Sequence, residues 1–228
     1  MRKHLHRDGF TLGELLSVIT IVSILLSLIF PAIWQSWERG RRISCMSNMK
    51  QLVHAAMIYS TDYSDHFPYC GWGWSMGMDE EEGICWMDAL LPYIQYQKEL
   101  FICPADENPN DQGLYCWAGQ TSVTQCSYAM NESVVGCDNS ANWEGGHGTD
   151  VGRLKGFIPI IQAPEEVLLF IDADYLWINA QNRSTFINRA ISHHGIGATC
   201  SFCDGHSEWV QTEKLDSVRT DPLPDYPP

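Results

Sequence analysis

The stretch MRKHLHRDGFTLGELLSVITIVSILLSLIFPAIW, residues 1–34, decides how this chain is built. Arg2, Lys3 and Arg7 form a short basic leader that ends at Asp8-Gly9. From Phe10 to Trp34 the run is apolar. It is long enough to cross a hydrocarbon core, which takes ~20 residues. The basic residues precede the run and none follows until Arg39. That asymmetry places the N-terminus in the cytoplasm and the rest of the chain outside it. Glu14 is the single ionisable group in the run. A carboxylate in a membrane helix costs about 2–3 kcal/mol or more, so by default it marks function. The plainer alternative is a signal anchor whose Glu14 snorkels to the headgroups. A cleaved secretory signal fits less well, because its apolar region spans ~7–15 residues and ends in small residues. This run is longer and ends in Phe30-Pro31-Ala32-Ile33-Trp34.

Gly9-Phe10-Thr11-Leu12-Gly13-Glu14-Leu15-Leu16 resembles the class III signal of type IV pilins and type II secretion pseudopilins. Counted from Phe10, Glu14 holds the fifth position and Pro31 the twenty-second. The resemblance implies cleavage after Gly9 by a prepilin peptidase and N-methylation of Phe10. It implies residence in the bacterial inner membrane, with the C-terminal domain periplasmic or carried outside in a filament. It further implies that Glu14 neutralises the N-terminal amine of a neighbouring pilin-like subunit. Opposite charges in a low-dielectric helical core are costly apart and compensated together, so such a pair can set the stagger between subunits.

Composition agrees with export. Removing the leader, with three basic residues and one acidic, leaves 11 basic against 27 acidic residues, a net charge of −16. That acidity argues against nucleic-acid binding, which needs a basic footprint. The nine cysteines are 45, 70, 85, 103, 116, 126, 137, 200 and 203. In an oxidising compartment disulfides are the default for them. An odd count leaves one that is free, pairs between chains or binds something, and connectivity stays open.

The residues divide into a leader (1–9), a transmembrane or filament-core helix (10–34), an amphipathic continuation (35–63) and a globular domain (64–228). Trp37, Met46, Met49, Val53, Met57 and Ser60 recur at helical spacing, with Leu52, Ala56 and Tyr59 on the same stripe. Residues 62–83 read as loop, with Trp72 and Trp74 among small residues; this is the ligand surface of the alternative reading, a membrane-anchored adhesin or carbohydrate-binding module. Residues 86–96 read as a short helix, and Phe101-Ile102-Cys103-Pro104 as a brief strand stopped by proline. Asp106, Asn108 and Asn110 alternate as oxygen donors for calcium, against a plain polar turn. Residues 126–131 read as a strand, residues 133–152 as a long loop, and residues 167–172 as the central strand. Overall the chain reads as α+β: a long N-terminal helix, its first half transmembrane, packed on an antiparallel β-sheet in a pilin-like layout.

The clearest local pattern is the hairpin over residues 198–210. Ala198, Cys200 and Phe202 alternate with Thr199, Ser201 and Cys203, and Asp204-Gly205 forms a two-residue turn. His194 and Asp204-Gly205, with nine residues between them, are similar to the H-x9-DG motif of a large group of pilin-like proteins. Supporting similarity runs through residues 45–52, 101–104 and 128–131. Cys200, Cys203, His194 and His206 offer a zinc-type donor set, although Cys-x2-Cys along a strand points its thiols to opposite faces. The alternative is that Cys200 packs or pairs elsewhere and His194 braces the hairpin through Asp204. No bound cofactor is the leading expectation; zinc and calcium are the alternatives named. No nucleophile elbow, phosphate loop, dinucleotide turn or zincin helix is present, and Asp172 and Asp174 are read as facing solvent or a cation, so the chain is not expected to be an enzyme.

Overall fold

The computed structural model describes residues 11–68, 85–107, 109, 121–135, 158–173, 177–178, 193–194 and 196–220. Gly9, Phe10, Trp72, Trp74, Asn108, Asn110, Asp174, Cys70, Cys116 and Cys137 lie outside them. The chain divides into two units, Met1–Gly40 and Arg41–Pro228. One helix, α1 (Leu12–Asp62), contributes to both, and neither Pro31 nor Gly40 interrupts it.

In the first unit α1 opens on a capping box. The Thr11 N–H and hydroxyl donate to Glu14 Oε2 at 2.9 and 2.8 Å, and the Glu14 N–H donates to Thr11 Oγ1 at 3.3 Å. Two otherwise orphaned helix-end donors are satisfied this way. Ser17, Thr20, Ser23 and Ser27 each donate to a carbonyl three or four residues back. The apolar run therefore satisfies its own hydroxyls, as a helix in lipid must. Its large apolar side chains are exposed, Leu12 by 86% and Leu28 by 72%. The helix is long and apolar enough to cross a membrane.

In the second unit the buried face of α1 is Cys45, Met49, Leu52, Val53, Ala55, Ala56 and Ser60. The expected stripe is shifted. Trp37 is exposed and Met46 half-buried, while Cys45, absent from that stripe, is fully buried. Five strands follow: β1 (Tyr128–Asn131), β2 (Leu168–Asp172), β3 (Trp177–Ile178), β4 (Gly197–Phe202) and β5 (Ser207–Gln211). Their order is β3-β1-β2-β4-β5, so β2 is central as its apolar run predicts. β1, β2, β4 and β5 pair antiparallel, and β3 adds to the β1 edge in parallel. The molecule is thus α+β, with a long apolar N-terminal helix and a mainly antiparallel sheet in a pilin-like layout.

The sheet contributes to two apolar clusters. One joins the α1 face to Tyr128, Met130, Leu169 and Phe170; the other gathers Ala129, Leu168, Ile171, Ala198, Cys200 and Phe202 with Leu215 of α4 (Thr212–Leu215). A register shift in β2 between Leu168 and Phe170 explains why Leu169 and Phe170 fall in the same cluster. A bulge resets which side chains face which side.

Four local expectations are corrected. Residues 101–104 are not a strand: a 3-10 turn covers Lys98–Phe101, and the Asp106 N–H donates to the Cys103 carbonyl at 2.9 Å. Pro104 has no N–H to give a ladder, so the segment turns instead. Residues 86–96 split into α2 (Trp86–Leu90) and a 3-10 turn, Leu91–Ile94. Residues 132–135, partly assigned to a loop, form a turn of helix, α3 (Glu132–Val135). The hairpin also closes differently: the Gly205 N–H donates to the Phe202 carbonyl and the Phe202 N–H to the His206 carbonyl, each at 3.0 Å. The loop therefore holds three residues, Cys203 to Gly205, with Gly205 at φ +97°. Such loops place glycine in the left-handed region. A Cβ on Gly205 would also lie 2.9 Å from Met57 Sδ of α1.

Candidate functional site

Four separated segments of the second unit converge on one buried point. α1 brings Cys45, the turn after Phe101 brings Cys103, the end of β2 brings Asp172, and the turn before β4 brings His194. One donor atom from each lies within 4.8 Å of the others, and all four residues are buried. Among the described residues this is the one such group of three or more. The Cys45 thiol donates to Asp172 Oδ1 at 2.8 Å. His194 Nε2 lies 3.3 Å from Cys103 Sγ and 3.8 Å from Asp172 Oδ2. The two sulfurs lie within 4.8 Å of each other.

A surrounding layer fixes these groups. The Thr199 N–H of β4 donates to Asp172 Oδ2 at 2.7 Å, and the Tyr128 hydroxyl of β1 donates to Cys45 Sγ at 3.5 Å. Trp209 of β5 meets the His194 ring edge-on at 5.2 Å between centroids, and the Arg42 guanidinium lies 4.5 Å over Trp209. This stack closes the site beside His194.

The electrostatics are those of acids forced together without water. Burial, and then the neighbouring Cys103, push the Asp172 carboxyl up to about 6. The Cys45 hydrogen bond, helped by His194 against the effect of burial, brings the Cys103 thiol down to about 5. Burial drives the Cys45 thiol far above its ordinary range. Buried acids in such contact are expensive unless a positive charge compensates them. The donors are two soft sulfurs, an imidazole nitrogen and a carboxylate oxygen.

The residues singled out from sequence fare unequally. His194 is in the cluster, facing Asp172 and Cys103; it does not brace Asp204. Asp204 instead accepts from the His206 N–H at 3.1 Å and lies 2.6 Å from His206 Nδ1. Cys200 and Cys203 fall in different apolar clusters, so the structure does not bring them together with His194 and His206. Asp106 accepts from the Ser127 hydroxyl at 2.7 Å and sits 3.5 Å from His193. Asp172, read as facing solvent or a cation, is fully buried. Cys85 is disulfide-bonded, but Cys45, Cys103, Cys126, Cys200 and Cys203 are free and buried, contrary to the expected default. Cys126, Cys200 and Cys203 pack as small apolar groups.

Cys45, Cys103 and Asp172 escape notice as partners because successive members of the cluster stand 58, 69 and 22 positions apart along the chain. The available signal was indirect. Cys45, Cys103 and His194 each sit in a segment that carries the family resemblance, and Asp172 ends the most apolar strand.

A family profile described as "Protein of unknown function (DUF1559)" matches residues 37–101. The "Type II secretion system core protein G" of Escherichia coli (strain K12) is 29% identical over 126 residues, 50% of this chain and 81% of that protein. No solved structure matches with significance.

Proposed function

We propose that this chain is a pseudopilin-like subunit, processed after Gly9 by a prepilin peptidase, methylated on Phe10 and assembled with pilin-like subunits into a type II secretion or type IV pilus-like filament. The observation that carries this reading is the division of α1. Residues 12–34 are almost wholly apolar, exposed and self-satisfied in their side-chain hydroxyl hydrogen bonds, while one face of residues 45–60 is buried in the domain. An exposed apolar helix of this kind needs lipid or neighbouring helices around it. The likeness to a type II secretion core protein supports the same reading. In it the chain is an anchored structural subunit of the inner membrane, with its N-terminus in the cytoplasm. The covalent chemistry belongs to the peptidase and methyltransferase.

The test is mass spectrometry of the N-terminal peptide from chain made in a host that has a prepilin peptidase. A peptide beginning at methylated Phe10 is expected. A leader retained from Met1 would overturn the reading and leave an envelope protein held by an uncleaved anchor.

A further inference from the structure

We propose that Cys45, Cys103, Asp172 and His194 form a structural zinc site that ties α1, the turn at Cys103, β2 and the H-x9-DG segment into one domain. The inference is independent of whether the chain assembles into a filament.

Zinc is taken by thiolate, imidazole and carboxylate donors in tetrahedral array. With bonds of ~2.3 Å to sulfur and ~2.0–2.2 Å to nitrogen or oxygen, donor atoms sit roughly 3.3–3.8 Å apart. Here the His194 nitrogen lies 3.3 Å from one sulfur and 3.8 Å from a carboxylate oxygen, and no donor pair exceeds 4.8 Å. Small side-chain shifts complete the tetrahedron. Soft sulfur disfavours calcium and magnesium, and a mixed sulfur, nitrogen and oxygen set suits zinc. Two thiolates and a carboxylate outweigh a divalent cation by one negative charge. The Thr199 N–H and the Tyr128 hydroxyl point at these same ligands. Donors of this kind orient metal ligands in known sites.

Four protein ligands and a sealed surround leave no open position, which marks a structural rather than a catalytic centre. The site also accounts for the spacing of the motif. His194 lies just before β4 and Asp204-Gly205 just after it, so the spacing of the motif is set mainly by the length of the strand. One end of β4 then carries the ligand. The other carries the glycine against Met57 of α1.

The test uses full-length protein extracted from membranes in detergent, without chelators. Elemental analysis should find one zinc per chain, and X-ray absorption at the zinc edge should show two sulfur and two nitrogen or oxygen neighbours. Cys103→Ser and His194→Ala should lower zinc content at least tenfold, whereas Cys200→Ala and His206→Ala should keep it. Where a ligand variant fails to fold, wild-type protein refolded with cobalt keeps the proposal testable: tetrahedral cobalt with sulfur charge-transfer bands is expected. Absence of both zinc and cobalt uptake would overturn the site. So would a Cys45–Cys103 disulfide in the membrane-derived protein, read as the loss of two hydrogen atoms from the summed mass of the linked peptides. Zinc lost from Cys200→Ala but kept in Cys103→Ser would move it to the hairpin.

Discussion

The two halves of α1 obey opposite rules. Residues 12–34 are almost wholly apolar, yet their large side chains are exposed. Residues 41–62 carry Arg41, Arg42, Lys50 and His54, yet one face is fully buried. Apolar content alone does not say where a helix is stable; the environment that receives each face does. In the second half the sheet receives a stripe of seven buried residues. In the first half no part of the described chain receives the side chains, and in the proposed reading lipid or other subunits do.

The largest break of this contrast comes from placing a carboxylate in the buried stripe. Leu52 is fully buried, and truncation of such a leucine costs about 2–5 kcal/mol. Leu52→Asp adds the desolvation of an unpaired charge. We expect loss of cooperative unfolding and of protease resistance in the domain, with membrane retention unchanged. Limited proteolysis of membrane fractions checks both. A protease-resistant Leu52→Asp domain would mean that this face is not the core.

The reciprocal change belongs to the first half. Val22 is 46% exposed within the apolar run. Val22→Arg near the middle of a spanning helix costs about 3 kcal/mol of insertion. We expect less membrane-bound chain on carbonate extraction and an unchanged thermal midpoint for the domain. Unchanged membrane retention would argue that residues 12–34 do not span.

How much of this could be read from sequence follows the range of each interaction. Helical spacing over residues 46–60 and alternation over residues 198–210 are local, and both led to real elements. The central place of β2 followed from its apolar content. What failed depends on partners far along the chain. Phe101 to Pro104 looks like a strand until one asks where Pro104 would find a ladder bond. Cys200 and Cys203 attract attention because they are close in sequence, but β4 and its turn send them to different clusters. Asp172 draws attention only through its neighbour Asp174, and Cys45 through nothing near it, yet the side chains of Cys45 and Asp172 meet at 2.8 Å. Two-residue β3, joined in parallel at the sheet edge, is too short to carry a pattern.

A smaller effect probes where the second half of α1 meets the hairpin. Gly205→Ala would put a Cβ 2.9 Å from Met57 Sδ at φ +97°. The methionine end is flexible and gives way in part, but the left-handed backbone remains strained. We expect a loss of about 1–2 kcal/mol, read as a lower denaturation midpoint. Met57→Ala in the same chain should recover the steric share of that loss and leave the backbone share. Complete recovery would show that contact, and not φ, requires the glycine.

The smallest effect on stability separates two roles of Glu14. Its carboxylate accepts two hydrogen bonds from Thr11, so the residue has a local function that no neighbouring subunit is needed to explain. In the assembly reading its charge meets the amine of another chain. Glutamine at the third helical position also closes a capping box. Glu14→Gln therefore keeps the cap and removes the charge. Thr11→Ala removes the cap, at about 0.5–2 kcal/mol, and keeps the charge. We expect Glu14→Gln to be cleaved and membrane-bound but absent from filaments, and Thr11→Ala to assemble. Both are read by N-terminal mass spectrometry and by the chain content of sheared filaments. The reverse pattern would assign Glu14 to the helix start alone, and the exposed first half of α1 would then need another source of stagger between subunits.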